Sequence, residues 1–181
     1  TTLSVRAGDV VQKGERIGMI VDSRLGFETS AYGAQVAAAH AAFSKQAYNE
    51  AADILWSEDR SPEAVQRLLT LAHVSHWHWT QRPDCTARNL SIAHWMLSRA
   101  HEAAGDGHGA LTQARLCMAT ARETGEPYFI GCAYEVAARA LIAARRLADA
   151  RDAESEARAI ASELAPEEAK MLLAELNTLA F

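Results

Sequence analysis

The chain has 181 residues, 49% of them hydrophobic, and carries 18 basic against 23 acidic residues for a formal net charge of -5. That length supports one substantial core, or a core with a small appendage, and the acidic balance is opposite to what a nonspecific nucleic-acid binder needs. Three cysteines without CxxC spacing read as free thiols in a reducing compartment, not as a disulfide framework or a thiolate zinc site.

No stretch has the length and apolarity of a membrane span, and the start of the chain lacks the pattern of a signal peptide. The expectation is a cytoplasmic protein with no membrane and no nucleic-acid partner.

Residues 1–26 differ in kind from the rest. Leu3, Val5, Val10, Val11, Ile17, Met19 and Val21 fall in short runs punctuated by Gly8-Asp9, Gly14 and Gly18, which predicts a strand-rich appendage of two or three short strands joined by tight turns. A hairpin of that size needs something to pack on. Gly8-Asp9, Lys13-Gly14-Glu15, Gly18-Met19-Ile20 and Ser23-Arg24 resemble the GDxVxKGExxGMI hairpin region of phosphatidylserine decarboxylases over residues 1–24, and similar turns occur in barrel-sandwich domains. The LGST-like processing motif that generates the pyruvoyl group there is absent here, so the resemblance implies a hairpin, or a fused or displaced fragment, and carries decarboxylase chemistry over only weakly.

Residues 27–181 predict a helical-repeat domain. Val36, Ala39, Phe43, Ala47, Ala51 and Leu55 recur at helical spacing through Ser30 to Trp56. Ser61-Pro62-Glu63 is a helix start, and its helix runs to about Trp79, before the break at Gln81-Arg82-Pro83-Asp84. Helices follow over about 86–104, 110–124, 128–144, 148–163 and from Pro166 to about Leu179. The clearest signal is internal: Ser91 to Glu123 is echoed by Gly131 to Glu163 at an offset of 40 residues, with Arg99 matching Arg139 and Ala93, Ala100, Ala103, Ala110, Ala119 and Ala121 matching alanines. Small residues at fixed phase let paired helices approach, as stacked hairpins require.

In its small and aromatic residues the region 64–180 resembles tetratricopeptide-like proteins, and its His-Trp helix, NLSIAHWMLSRA helix and YEVAARA helix are similar to a group of bacterial tetratricopeptide-like proteins. The offset exceeds the roughly 34 residues usual for that repeat, and the glycine before the second helix of the first copy becomes Arg145 or Arg146 in the second. The resemblance implies a mainly all-α fold of stacked helical hairpins and supplies no activity.

Two sets of residues carry candidate chemistry. Trp77, Trp79 and Trp95 with Arg82, Arg88 and Arg99 could line a groove that offers apolar contact and bidentate donors to a peptide carboxylate or anionic ligand. Glu135 and Arg139 join them at the repeat phase of Arg99, or form an ordinary ion pair four residues apart. His73 and His76 share a helix face, whereas His78 is turned by about 200° from His76. With either His94 or His101, plus Glu102 or Glu135, they could hold zinc or another borderline metal, or else fill helix interfaces beside the tryptophans. Cys117 and Cys132 sit at helical positions suited to small hydrophobes, and Cys85 follows the Pro83 turn with no adjacent base. The leading expectation is a noncatalytic protein-interaction or scaffold module with an unknown protein or peptide partner, no cofactor and scope for homo-oligomers. The alternative is a metal or small-molecule binding protein, even an enzyme, using a His/Trp-lined pocket between the second and third helices.

Overall fold

A computed structural model describes residues 25–181, with side-chain surroundings from residue 33 onward. Contacts divide the chain into a unit Thr1–Ala38 and a unit Ala39–Phe181. In the first, the described part is the opening of α1, whose residues 33–38 are exposed. Every regular element among the described residues is a helix: α1 Leu25–Trp56, α2 Pro62–Thr80, α3 Ala87–Ala103, α4 Gly107–Thr124, α5 Pro127–Ala143, α6 Leu147–Ala161 and α7 Pro166–Leu176.

This corrects the expected class. Among the described residues the fold is all-α with no strand, and Leu25 and Gly26 belong to α1. A glycine in a first turn costs little, since the amides there have no partner inside the helix in any case. The strand-rich reading of residues 1–24 lies outside the described residues.

The helix ends follow local chemistry. Ser61 Oγ accepts from the Ala64 amide at 3.2 Å with Pro62 in the first turn, and Thr86 with Asn89 forms a capping box on α3. Asp106 caps α4 by accepting from the Gly109 amide at 2.8 Å. Gly125, at φ 69°, ends α4 in the left-handed conformation that glycine adopts without a Cβ clash.

The 40-residue echo is structural. The hairpins α3/α4 and α5/α6 begin at the same phase, 87 against 127 and 107 against 147. Within Ala39–Phe181 each helix from α2 onward packs on the next, and α3 also meets α5, which meets α7. The seam between hairpins is built from Ala110, Ala114, Cys117 and Ala121 against Ala133, Val136 and Ala140, all buried. Gly107 marks its tightest point: a Cβ there would lie 3.0 Å from backbone atoms of Ala143 and Ala144. A separate cluster joins Ala51, Ala52 and Leu55 of α1 to Leu68 and Ala72 of α2 and Met96, Leu97 and Ala100 of α3. The last joins Ala157 and Ala161 of α6 to Leu172 and Leu176 of α7. None of the described helices is long and apolar enough to cross a membrane.

Candidate functional site

The odd-numbered helices α1, α3, α5 and α7 line an open-mouthed cavity of about 520 Å3. Its walls include Tyr48 and Trp56 of α1, Trp95 of α3, and Tyr128 and Phe129 of α5; Glu135 and Glu175 are its charged lining residues. Repeat symmetry places part of this set. Trp95 and Glu135 occupy the same phase of consecutive hairpins, and the Trp95 indole Nε1–H donates to Glu135 Oε2 at 2.9 Å. Arg99 and Arg139, one turn further along their helices, both turn toward Glu135 and Glu175.

Behind the cavity these residues form an ion network. Arg99 Nη1 donates to Glu175 Oε2 at 2.7 Å, and Arg139 Nε donates to Glu135. Arg139 Nη2 donates to the Glu175 carbonyl at 2.7 Å and to the Thr178 hydroxyl, fastening α5 to the end of α7. Trp56 Nε1–H donates to Glu175 Oε1 at 3.3 Å. Glu102 Oε2 lies 3.2 Å from Arg99 Nε, which is buried and makes no hydrogen bond, so that contact is one of charge alone. Glu135 is only 1% exposed, and Arg99 and Arg139 are also buried. A buried carboxylate is tolerable here because guanidinium and indole donors replace its water.

The titratable groups of the cavity are set by burial and by this network. Burial pushes the Glu175 carboxyl upward, but Arg99, the Trp56 indole and Arg139 together outweigh it and hold the group below its ordinary range. Burial pushes the Cys132 thiol up to about 12, against a lowering hydrogen bond from Tyr128. Burial likewise raises the phenols of Tyr48 and Tyr128. At neutral pH the cavity therefore contains an ionised Glu175, a protonated thiol and neutral phenols.

The predicted tryptophan and arginine groove divides. Trp95 lines the cavity, with the Arg99 guanidinium 5.1 Å from its ring centroid. Trp77 is 54% exposed and meets His40 and His78 on the α1/α2 surface. Trp79 is half-buried under the Arg82 guanidinium, 3.9 Å from the ring centroid. Arg82 itself is held by Asp84 and by Ser44 Oγ at 2.9 Å, while Arg88 pairs with Glu126 and covers Phe129 from 5.1 Å. Trp77 and Trp79, two residues apart on α2, are turned about 200° from each other, and the turn around Pro83 redirects the chain before Trp95 on α3, so the three face different neighbours.

The histidines pair across helices instead of meeting at one point. His76 faces His94 with ring centroids 4.8 Å apart, whereas His73 faces His101 at 5.7 Å. His94 and His101 stand two helical turns apart, about 10 Å, which is too far for both pairs to share an ion. His94 Nδ1 is engaged by Gln113 Oε1 at 2.9 Å, and His40 Nδ1 hydrogen-bonds His78 Nδ1 at 2.8 Å. Among the described residues no group of three or more His, Cys, Asp or Glu side chains is arranged to hold a metal ion.

Sequence reasoning missed Tyr48, Trp56, Tyr128, Phe129, Cys132 and Glu175 as neighbours. For Glu175 a signal existed: it follows Glu135 by 40 residues, the same offset that relates Trp95 to Glu135. Comparison with family models, with curated proteins and with solved structures gave no match.

Proposed function

We propose that the chain is a noncatalytic recognition module, built of tetratricopeptide-like stacked hairpins and working in the cytoplasm, that holds one side chain of a partner peptide in the cavity between α1, α3, α5 and α7. The observation that carries this reading is the aromatic-walled cavity of about 520 Å3, a volume suited to a large side chain or a small ligand. Trp56 and Met171 extend it outward, 59% and 53% exposed. An apolar rim of that kind suits a contact that continues along a chain. Binding without chemistry is supported by the state of the reactive groups: the Cys132 thiol is protonated at neutral pH, and both carboxylates are engaged by arginine and indole donors.

The test is selection from a displayed peptide library, followed by affinity measurement on the full chain and on Ala174→Trp. Ala174 is exposed at the cavity lining, so the larger side chain obstructs the mouth without entering a core. Selected peptides are expected to lose about tenfold or more in affinity with an unchanged melting temperature, the size of losing one well-seated anchor. Equal binding to both proteins, or no selected peptide at all, overturns the reading.

A further inference from the structure

Resting on that reading of the cavity, we propose that the side chain it takes is an organic cation, a lysine or methylated lysine of the partner, seated among the aromatic residues with Glu175 and Glu135 as its counter-charges. The charged residues lining the cavity are both acidic; no Lys, Arg or His belongs to the lining. Arg99 and Arg139 reach the same carboxylates from outside that lining.

The network is not neutral. Glu102, Glu135 and Glu175 face Arg99 and Arg139, so three negative charges meet two positive ones. The excess lies beside a space lined mainly by apolar side chains, where an opposite charge is worth more than in bulk solvent. Glu175 is the accessible member, its side chain 28% exposed against 1% for Glu135. Because Arg99 and its other donors keep Glu175 ionised at neutral pH, a neutral occupant would strip water from a charge and return nothing, and an anion would be repelled. A cation offsets that loss.

The walls favour the same class. Tyr48, Trp56, Trp95, Tyr128 and Phe129 line one cavity, and rings of this type attract ammonium groups while their area covers an aliphatic stem. A lysine side chain has both parts. Methylation keeps the charge and enlarges the apolar surface, which suits a space of about 520 Å3.

The experiment measures binding of three fluorescent pentapeptides, identical except for lysine, trimethyllysine or norleucine at the centre, to the full chain. One of the cationic peptides is expected to bind about tenfold more tightly than the norleucine peptide. The preference should shrink in Glu175→Gln with norleucine affinity unchanged. Should Glu175→Gln fail to fold, Trp56→Leu serves, since Trp56 is 59% exposed; it should also lower the cation preference. Norleucine binding as well as the cations, or a preference that survives the substitution, overturns the cation and leaves the recognition module standing. Failure of all three peptides also overturns the cation, while the recognition module stands or falls with the library selection and its sensitivity to Ala174→Trp.

Discussion

Arg145 stands where Gly105 stands one hairpin earlier, and both adopt positive φ, 60° and 73°. Glycine reaches that conformation freely, whereas an L-residue with a Cβ gives up roughly 1–2 kcal/mol. Part of that difference is returned by the lower unfolded-state entropy of arginine. Arg145→Gly is therefore expected to stabilise the protein by about 0.5–1 kcal/mol, read as a higher urea midpoint at constant slope. The sequence left Arg145 and Arg146 as equal candidates for this place, because phase alone does not report φ. At Glu135 the stakes are larger: removing a carboxylate that is only 1% exposed leaves Arg139 Nε and the Trp95 indole without their acceptor. Glu135→Ala should cost about 3–5 kcal/mol. The exposed Glu50–Arg67 pair is the control, and Glu50→Ala should leave the denaturation curve where it is.

Helix α2 shows which features of an element are legible before its surroundings are known. Its start at Ser61-Pro62 and its end before Pro83 depend on adjacent residues, so cap and turn chemistry were enough to place them. Where its histidines point depends on α1 and α3, and no periodicity in α2 alone reports that. Burial, then the neighbouring ring of His101 for His73, of His94 for His76 and of His40 for His78, lowers each of these pKa values from 6.5. Burial also lowers His94, against a raising hydrogen bond from Gln113. Because the unfolded chain then binds protons that the folded chain refuses, stability is fully present above about pH 6.5 and falls as pH drops through that value toward the lowered folded pKa values. Urea midpoints are expected to be level from pH 8 to 7 and to decline between about pH 6.5 and 5. The slope should be shallower in His76→Leu, which removes one half of the buried pair. A midpoint independent of pH across that window would show that the folded chain binds these protons as readily as the unfolded one, so that the ring pairs do not lower the histidine pKa values.

Across the unit Ala39–Phe181, the stacking order was readable and the cavity was not, for one physical reason. Stacking repeats a local pattern of small residues, visible as matched alanines, whereas the cavity adds to the repeat-related Trp95, Glu135 and Glu175 the side chains of Tyr48, Trp56, Tyr128 and Phe129, which stand at other phases of the 40-residue offset. Helix α7 is where the two meet. Its Leu172 packs on Gly131, where an added Cβ would come within 2.6 Å of Leu172 Cδ2, and its Glu175 neutralises Arg99 and Arg139. Deleting residues 166–181 uncovers Ala157 and Ala161 and leaves the two buried arginines with Glu102 and Glu135 alone. In a stack governed by nearest neighbours, such damage stays near its source and fades with distance. Hydrogen exchange on the truncated chain is thus expected to show α5 and α6 losing protection first and most. Helices α2 and α3, held by the separate cluster of Leu68, Met96 and Leu97, should keep theirs. Uniform loss over all the described helices would instead mean that the polar network couples the stack end to end, since Arg99 on α3 and Trp56 on α1 both have Glu175 of α7 as a partner. Gly131→Ala separates the two causes: it disturbs the Leu172 contact by about 1–3 kcal/mol of overpacking while Glu175 stays in place, so exchange should rise in α5 and α7 and remain unchanged in α3.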